Sequence, residues 1–277
     1  MWRIPNLKYL ETYILTKIIL GWIEKKIDET LAEDQFGFRK NKGTRDAILC
    51  LRNIVEKSSA VNKKVYIAFV DLLKASDNVN WNIMMKILKG IKTDYRDRRI
   101  IRELYKHQMT SIKIKESKKE AAIRKGVRQG WSLSPLLFNI YIKQAINECK
   151  EYCTGIKVNG VRIQMLRFAD YIAIIVQDEI NLKRALESLD DILKSNYKMK
   201  INRKKIDVMV CSKDIKNINN KMDDNALGQV PKFKYQGSII TEDGKNKKYI
   251  IQWIKEVKVM FNNKKQQLCS NNLSVEL

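Results

Sequence analysis

The chain has 277 residues, 44 % of them apolar, which suffices for a sizeable core in one large domain or two small ones. Lysine and arginine number 54 against 31 acids, a net charge of +23 and a pI near 9.7, and such an excess favours a polyanion, either nucleic acid or an anionic membrane surface. The composition speaks against a membrane span and a secreted disulfide scaffold: the apolar stretch 9–23 is broken by Glu11 and Lys17, no signal-peptide cleavage pattern follows it, and the five cysteines are odd in number and scattered.

The expected elements follow in chain order. Apolar residues at Leu7, Leu10, Ile14, Leu15, Ile18, Ile19, Trp22, Ile23 and Ile27 keep close to a 3.6 period and predict a helix over 7–31. After a loop at 33–45 a second helix is expected over 46–57, then a strand at 65–70. A helix at 81–89 has Asp77 or Asn80 as candidate N-cap and Gly90 as its stop. Residues 94–108 predict a highly charged helix with Ile100, Ile101, Leu104 and Tyr105 as its buried stripe. Strands at 111–114 and 121–124 read as a hairpin around a polar turn at 116–120. Ser134 and Pro135 open a helix over 133–150. Asn159-Gly160 between 156–158 and 161–163 is a strong hairpin signal. Strands at 165–168 and 172–176 meet at Asp170 and Tyr171. An amphipathic helix at 181–195, a strand at 206–210, a strand pair at 233–240 and a basic helix at 249–267 complete the reading. No repeat or Pro/Gly-rich linker divides the chain, so the expectation is one α+β unit with an antiparallel sheet flanked by helices.

Two strands each end in an acid, Asp71 in V-Y-I-A-F-V-D and Asp170 in R-F-A-D-Y. Acids delivered from two strand ends form a cradle for divalent metal and hence for phosphoryl transfer, although an acid at a strand end is more commonly a turn or cap residue. Between them lies K-G-V-R-Q-G-W-S-L-S-P-L-L-F-N-I-Y at 125–141, a glycine-bracketed loop opening into a helix. Its backbone N–H groups and Arg128 suit a phosphate or a base pair. Cys149 and Cys153 lie one helical turn apart. His107 is the sole histidine, so a closed four-ligand zinc site is not expected and reduced thiols are.

In this order the strings resemble the reverse transcriptase of a non-LTR (LINE-type) retrotransposon. Residues 35–48, Q-F-G-F-R-K-N-K-G-T-R-D-A-I, resemble the fingers motif; 68–77 the first carboxylate motif; 126–135 the template-and-nucleotide loop. Residues 167–171 resemble the F-A-D-D turn, 201–210 with Asn202 and Lys205 the lysine-bearing motif, and 233–237, F-K-Y-Q-G, the primer grip. The resemblance implies a fingers–palm fold with a partial thumb: about 1–64 fingers, 65–237 palm with interleaved fingers elements, and 238–277 the start of the thumb within one 1–277 domain. It also implies RNA-directed DNA synthesis with Mg²⁺ or Mn²⁺ on an RNA template and DNA primer from deoxynucleoside triphosphates. No membrane and no stable protein partner are implied, and a nuclear or cytoplasmic, non-secreted protein is expected. By the same carry-over Asp71 and Asp170 are metal ligands and Lys205 an acid towards departing pyrophosphate. Arg39, Lys40 and Lys42 meet the triphosphate or template, Arg128, Gln129 and Gly130 border the nucleotide, Ser76 contacts its sugar, and Phe233, Tyr235 and Gly237 form the primer grip.

Four residues depart from the family pattern. Tyr171 stands in place of the second adjacent aspartate, and a phenol is a poor Mg²⁺ ligand. Ser76 replaces an aromatic ring that would exclude the ribose 2′-hydroxyl. Trp131 replaces a small residue and is expected to add bulk beside the nucleotide, and Gln236 replaces an apolar residue. With short ends that leave no room for an endonuclease, the expectation is a truncated, degenerate copy whose polymerase activity is impaired. The alternatives are a non-catalytic RNA- or DNA-binding protein derived from such a domain, and an unselected fragment.

Overall fold

The computed structural model describes residues 7–106, 108–114, 117–212, 221–222, 225–244 and 247–269. Helix α1 (Leu7–Thr30) buries Ile19, Ile23 and Ile27, one stripe at four-residue spacing. Ile14, Leu15, Ile18 and Trp22, which share the sequence periodicity, are exposed. Helix α2 (Thr44–Ala60) buries Ala47, Leu51, Ile54 and Val55. Strand β1 (Val65–Asp71) leads to a short 3₁₀ turn, Ser76–Asn78, and to α3 (Trp81–Gly90). Asn80 caps α3 by accepting from the N–H groups of Asn82 and Ile83. The left-handed residue that stops the helix is Lys92 (φ +58°), not Gly90, and Thr93 N–H closes back on the Leu88 carbonyl.

Helix α4 (Tyr95–Lys106) buries Ile101 and Tyr105. Strands β2 (Met109–Ile114) and β3 (Ser117–Ala122) pair from Met109↔Ala122 to Ile114↔Ser117, so the turn is tighter than expected and most of the polar segment lies in β3; residues 115 and 116 lie outside the described residues. On an exposed two-stranded ribbon charged side chains cost little, which hides β3 from a hydrophobic pattern. Helix α5 (Ser134–Lys150) is almost wholly buried. The hairpin β4 (Ile156–Val158)–β5 (Val161–Ile163) turns at Asn159 and Gly160, both with positive φ, as its sequence demands. Strands β6 (Met165–Phe168) and β7 (Tyr171–Val176), helix α6 (Glu179–Ser195) and β8 (Asp207–Cys211) follow. The two-residue strands β9 (Lys221–Met222), β10 (Asn225–Ala226) and β11 (Gly228–Gln229) precede the hairpin β12 (Lys232–Tyr235)–β13 (Ser238–Thr241) and helix α7 (Lys247–Leu268).

The central sheet runs β11-β8-β1-β7-β6, antiparallel except where β11 joins β8. Period-two alternation along β1 sends Ala68 and Val70 into one core with α1, α3, α4, α5 and α6. Val65, Ile67 and Phe69 enter a second core with α2 and the β12–β13 hairpin. Both faces are covered, so β1 reads as a continuous apolar run. Cys149 and Cys153 are buried and face the carbonyls of Ala185 and Gln164; burial pushes their thiols up to about 12 and about 11. Among the described residues no helix is long and apolar enough to cross a membrane.

Candidate active site

The end of β1 is the centre of the site. Asp71 is buried and lies opposite Tyr171 in the β1–β7 register. Phe168 pairs with Tyr171, so β6 and β7 are joined by the two-residue turn Ala169-Asp170, with Ala169 at φ +56°. That turn brings Asp170 beside Asp71. Burial holds the Asp170 carboxyl above the usual range and the Asp71 charge adds to this, against its own backbone N–H and Lys205. The third participant is Lys205. Leu72 bridges Ile201, and Asn202 N–H donates to the Asp71 carbonyl at 2.8 Å, which folds 203–205 into a 3₁₀ turn. Lys205 Nζ then donates to Asp71 Oδ2 at 2.9 Å, and this bond with the Asp71 charge raises the ammonium pKa.

A loop buttresses the acid turn. Gln35 forms a parallel bridge with Arg167, Phe36 N–H donates to the Arg167 carbonyl, and Arg167 N–H to that of Asp34. Gly37 backs directly onto the turn: a Cβ there would lie 2.4 Å from Ala169 N, so only glycine permits this approach. Buried Asn139 of α5 donates to the Gly37 carbonyl and accepts from Gln35 Nε2. The fully buried Arg167 side chain pairs with Asp34 at 2.6 Å, and Lys150 pairs with the same carboxylate. Burial alone would raise the Asp34 pKa, but Arg167 and Lys150 hold it below the usual carboxylate range. Gln35, Asn139, Asp34 and Arg167 position the acids, and sequence reasoning assigned them no role. Buried polar types within otherwise apolar strings were the available signal.

The segment after Asp71 is hydrogen-bonded to the glycine-bracketed loop that opens α5. Val127 N–H donates to the Ser76 carbonyl and Gly126 N–H to that of Val79, both at 2.8 Å. Gly126 (φ +94°) comes within 3.0 Å of the Asp77 backbone as judged from where a Cβ would sit. Ser76, Arg128, Gln129, Gly130, Trp131 and Phe38 line a cavity of about 250 Å³. Trp131 is a wall as well as added bulk: it is buried, 5.5 Å from the Tyr105 ring, while the Arg128 guanidinium lies 5.2 Å above it.

The three cations of the fingers string are placed differently. Arg39 bonds Asp28 at 2.8 Å and the Ala32 carbonyl at 2.9 Å, so its guanidinium is tied to the C-terminal end of α1 and the residues just after it. Lys42 pairs with Glu33 and lies over the Phe36 ring. Lys40 is exposed and, with Phe38 and Leu136, lines an adjoining cavity. Phe233 stacks on Phe69 with centroids 3.7 Å apart, and Tyr235 is buried against the same ring. Phe69 and Asp71 share a face of β1, so the β12–β13 hairpin sits on the site's side of the sheet. Its tip is Gln236-Gly237, both with positive φ, with Gly237 exposed and Gln236 half-buried.

Two carboxylates suit a divalent cation that completes its shell with water and phosphate oxygens, the usual way in which Mg²⁺ is held. Among the described residues no group of three or more His, Cys, Asp or Glu is placed to hold a metal ion.

Residues 2–240 match the family described as reverse transcriptase (RNA-dependent DNA polymerase). The chain is 27 % identical over 149 residues to a Pol polyprotein from type-1 retrotransposable element R2 of Nasonia vitripennis, covering 53 % of this chain and 14 % of the relative. The R2 polyprotein of Popillia japonica is 23 % identical over 74 % of this chain and 29 % of its own length. A transposon TX1 protein of Xenopus laevis is 23 % identical over 67 % and 14 %. The chain therefore spans less than a third of the relatives it matches. Telomerase from Candida tropicalis, solved with a fragment of telomeric RNA, superposes with a TM-score of 0.58 at 16 % identity over 78 % of this chain and 36 % of that one, a likeness of fold. With the central sheet, the acid turn and the family match over most of its length, the chain belongs to the reverse transcriptase family.

Proposed function

We propose that this domain carries out RNA-directed DNA synthesis, weakly, on a primed RNA template. The observation that carries the reading is the meeting of Asp71, Asp170 and Lys205 at one end of the sheet, beside the cavity lined by Ser76, Gln129 and Gly130. Asp71 and Asp170 would hold Mg²⁺ or Mn²⁺, which when bound supplies charge stabilisation to the attacking and leaving oxygens. Lys205 keeps its proton while paired with Asp71 and releases it to departing pyrophosphate as it turns from that partner. Arg128 and Lys40 are better disposed than Arg39 to meet phosphates, since Arg39 is held by Asp28. The subdivision is 1–64 fingers, 65–237 palm and 238–277 the start of the thumb, with the hairpin tip at Gly237 towards the primer. With Tyr171 opposite Asp71, one carboxylate fewer faces the metal, and the rate falls accordingly.

Primer extension on an RNA template with Mg²⁺ or Mn²⁺ tests this. Weak extension abolished by Asp71→Ala supports it, and extension that survives Asp71→Ala removes the site assignment. The second reading, a non-catalytic binder of RNA or DNA, is favoured by the same Tyr171. It requires no extension under any metal together with binding that weakens steeply as salt rises.

A further inference from the structure

Away from the acids, α3 and α4 lie side by side and form a groove of about 420 Å³ whose polar lining is Lys86, Lys89, Arg98, Arg99, Arg102 and Tyr95. Residues 81–106 hold eight cations against three acids, Asp94, Asp97 and Glu103, and none of the three lines the groove. Asp94 instead caps the Arg96 N–H, and Asp97 lies within reach of the Arg96 and Lys26 charges. Lys86, Lys89, Arg99 and Arg102 are exposed. Tyr95 is 70 % exposed, an unusual degree for an aromatic, and Arg98 lies over its ring at 6.0 Å. The groove is separate from the nucleotide cavity but joined to it through the fold: α3 starts at Trp81, whose Nε1 donates to the Gly126 carbonyl, and α4 ends near Tyr105, which packs on both Trp81 and Trp131.

We propose that the α3–α4 groove is a second binding site for single-stranded RNA. Five cations without an acid answer a run of phosphates. An exposed tyrosine beneath a guanidinium answers an unpaired base, since cationic grooves with aromatic platforms are how single strands are held without sequence preference. A duplex would present its phosphates but no free base face, leaving Tyr95 without a role. A single strand offers both. The choice of RNA rests on the proposed polymerase reading, in which the unpaired strand beyond the active site is template. The groove holds that strand at a distance from the catalytic turn.

The test uses the full chain, fluorescent uridine oligomers of 12 and 30 nucleotides, and anisotropy over a salt series. In wild type the longer RNA binds more tightly and with the steeper salt dependence. In Lys86→Ala/Lys89→Ala/Arg99→Ala/Arg102→Ala the advantage of the 30-mer disappears, and the log–log salt slope falls by about 0.7 for each lost phosphate contact. Tyr95→Ala, which removes no charge, weakens the 30-mer by at least about fivefold and leaves an abasic oligomer unchanged. An unaltered slope and length dependence in both variants overturns the proposal. So does a loss confined to duplex RNA, or to phosphatidylserine vesicles. None of these readouts needs catalysis, so silence in primer extension with groove binding intact counts against the polymerase reading alone.

Discussion

Restoring the missing carboxylate with Tyr171→Asp has opposite consequences with and without metal. Tyr171 is the cross-strand partner of Asp71 and adjoins Asp170, so the new acid completes a group of three at one sheet end. Directly paired residues in an antiparallel ladder lie roughly 5 Å apart, and two like charges at that distance repel by about 3 kcal/mol at an effective dielectric constant of ~20. Asp170 and Tyr171 are only partly buried, and solvent screening reduces the net cost to about 1–2 kcal/mol. For a chain of this size that lowers Tm by roughly 2–8 °C in EDTA. A divalent cation reverses the sign, because three carboxylates then face a charge of +2. Thermal melts in EDTA and in millimolar Mg²⁺ read the two effects separately, and primer extension reads a third: a gain of at least about 10–100-fold, the scale on which metal sites respond to lost supporting groups. A variant whose Tm loss ignores Mg²⁺ and whose extension equals wild type would refute the assignment of position 171 to the metal cradle.

Four further outcomes are expected. Gly37→Ala forces a Cβ to within 2.4 Å of Ala169 N; it should destabilise by about 1–3 kcal/mol in chemical denaturation and displace the acid turn, costing Mg²⁺-dependent stabilisation as well. Ser76→Phe fills the cavity beside Gln129 and Gly130; it should cut ribonucleotide against deoxynucleotide incorporation by roughly tenfold or more in single-nucleotide extension, whereas an unchanged ratio would place the sugar elsewhere. Asp34, held below 3.8 by Arg167 and Lys150, stabilises the fold above that pH and loses its contribution as pH falls through its lowered value; Asp34→Asn should therefore be markedly less stable than wild type at pH 7, with the difference shrinking towards pH 2. Asp170 has the opposite sign: its raised pKa favours the protonated form, so its contribution is full below 3.8 and is lost as pH rises through the raised value, and Asp170→Asn should remove that part of the pH dependence in metal-free melts.

Much of the fold was legible because periodicity and turn chemistry agreed. The strand ending at Asp71, the Asn159-Gly160 hairpin and the helix opened by Ser134-Pro135 each carried two independent signals. The misreadings have separate physical causes. On α1 the apolar period predicted the helix but not which of its apolar residues are covered: Ile19, Ile23 and Ile27 are buried while Ile14, Leu15, Ile18 and Trp22 are exposed. At the end of α3 the stop came from Lys92 in a left-handed conformation that its sequence does not advertise. Strand β11 is two residues long and is held by its neighbour β8 rather than by any pattern of its own. At the site, the acids were found as strand ends, whereas nothing in the sequence showed that Asp28, eleven residues earlier, pairs with Arg39. A cation's partner is a tertiary fact, and the spacing of charges along the chain does not reveal it.

The departures from the family pattern fall unevenly on this architecture. Tyr171 and Ser76, which the proposed function sets against metal and nucleotide, disturb no neighbour: Tyr171 keeps its register in β7, and Ser76 engages Val127 through its backbone carbonyl. Trp131 is accommodated by packing on Tyr105, and Gln236 occupies a turn position where the first of two positive-φ residues matters more than its side chain. By contrast the groups that hold the acid turn still meet one another, although Gln35 Oε1 and Arg167 Nε and Nη1 are buried without a partner. Asn139 still meets both Gln35 and Gly37, Arg167 still meets Asp34, and Gly37 still leaves room for Ala169. A substitution among those would leave a buried polar group unpaired or drive a Cβ into backbone, at a cost of several kcal/mol against a total stability of about 5–15 kcal/mol. The residues at 76 and 171 leave the β7 register and the backbone bond to Val127 intact. The frame of the site is therefore intact around Tyr171 and, if the proposed reduction in activity is real, one substitution at position 171 is the place to ask how much activity the frame can recover.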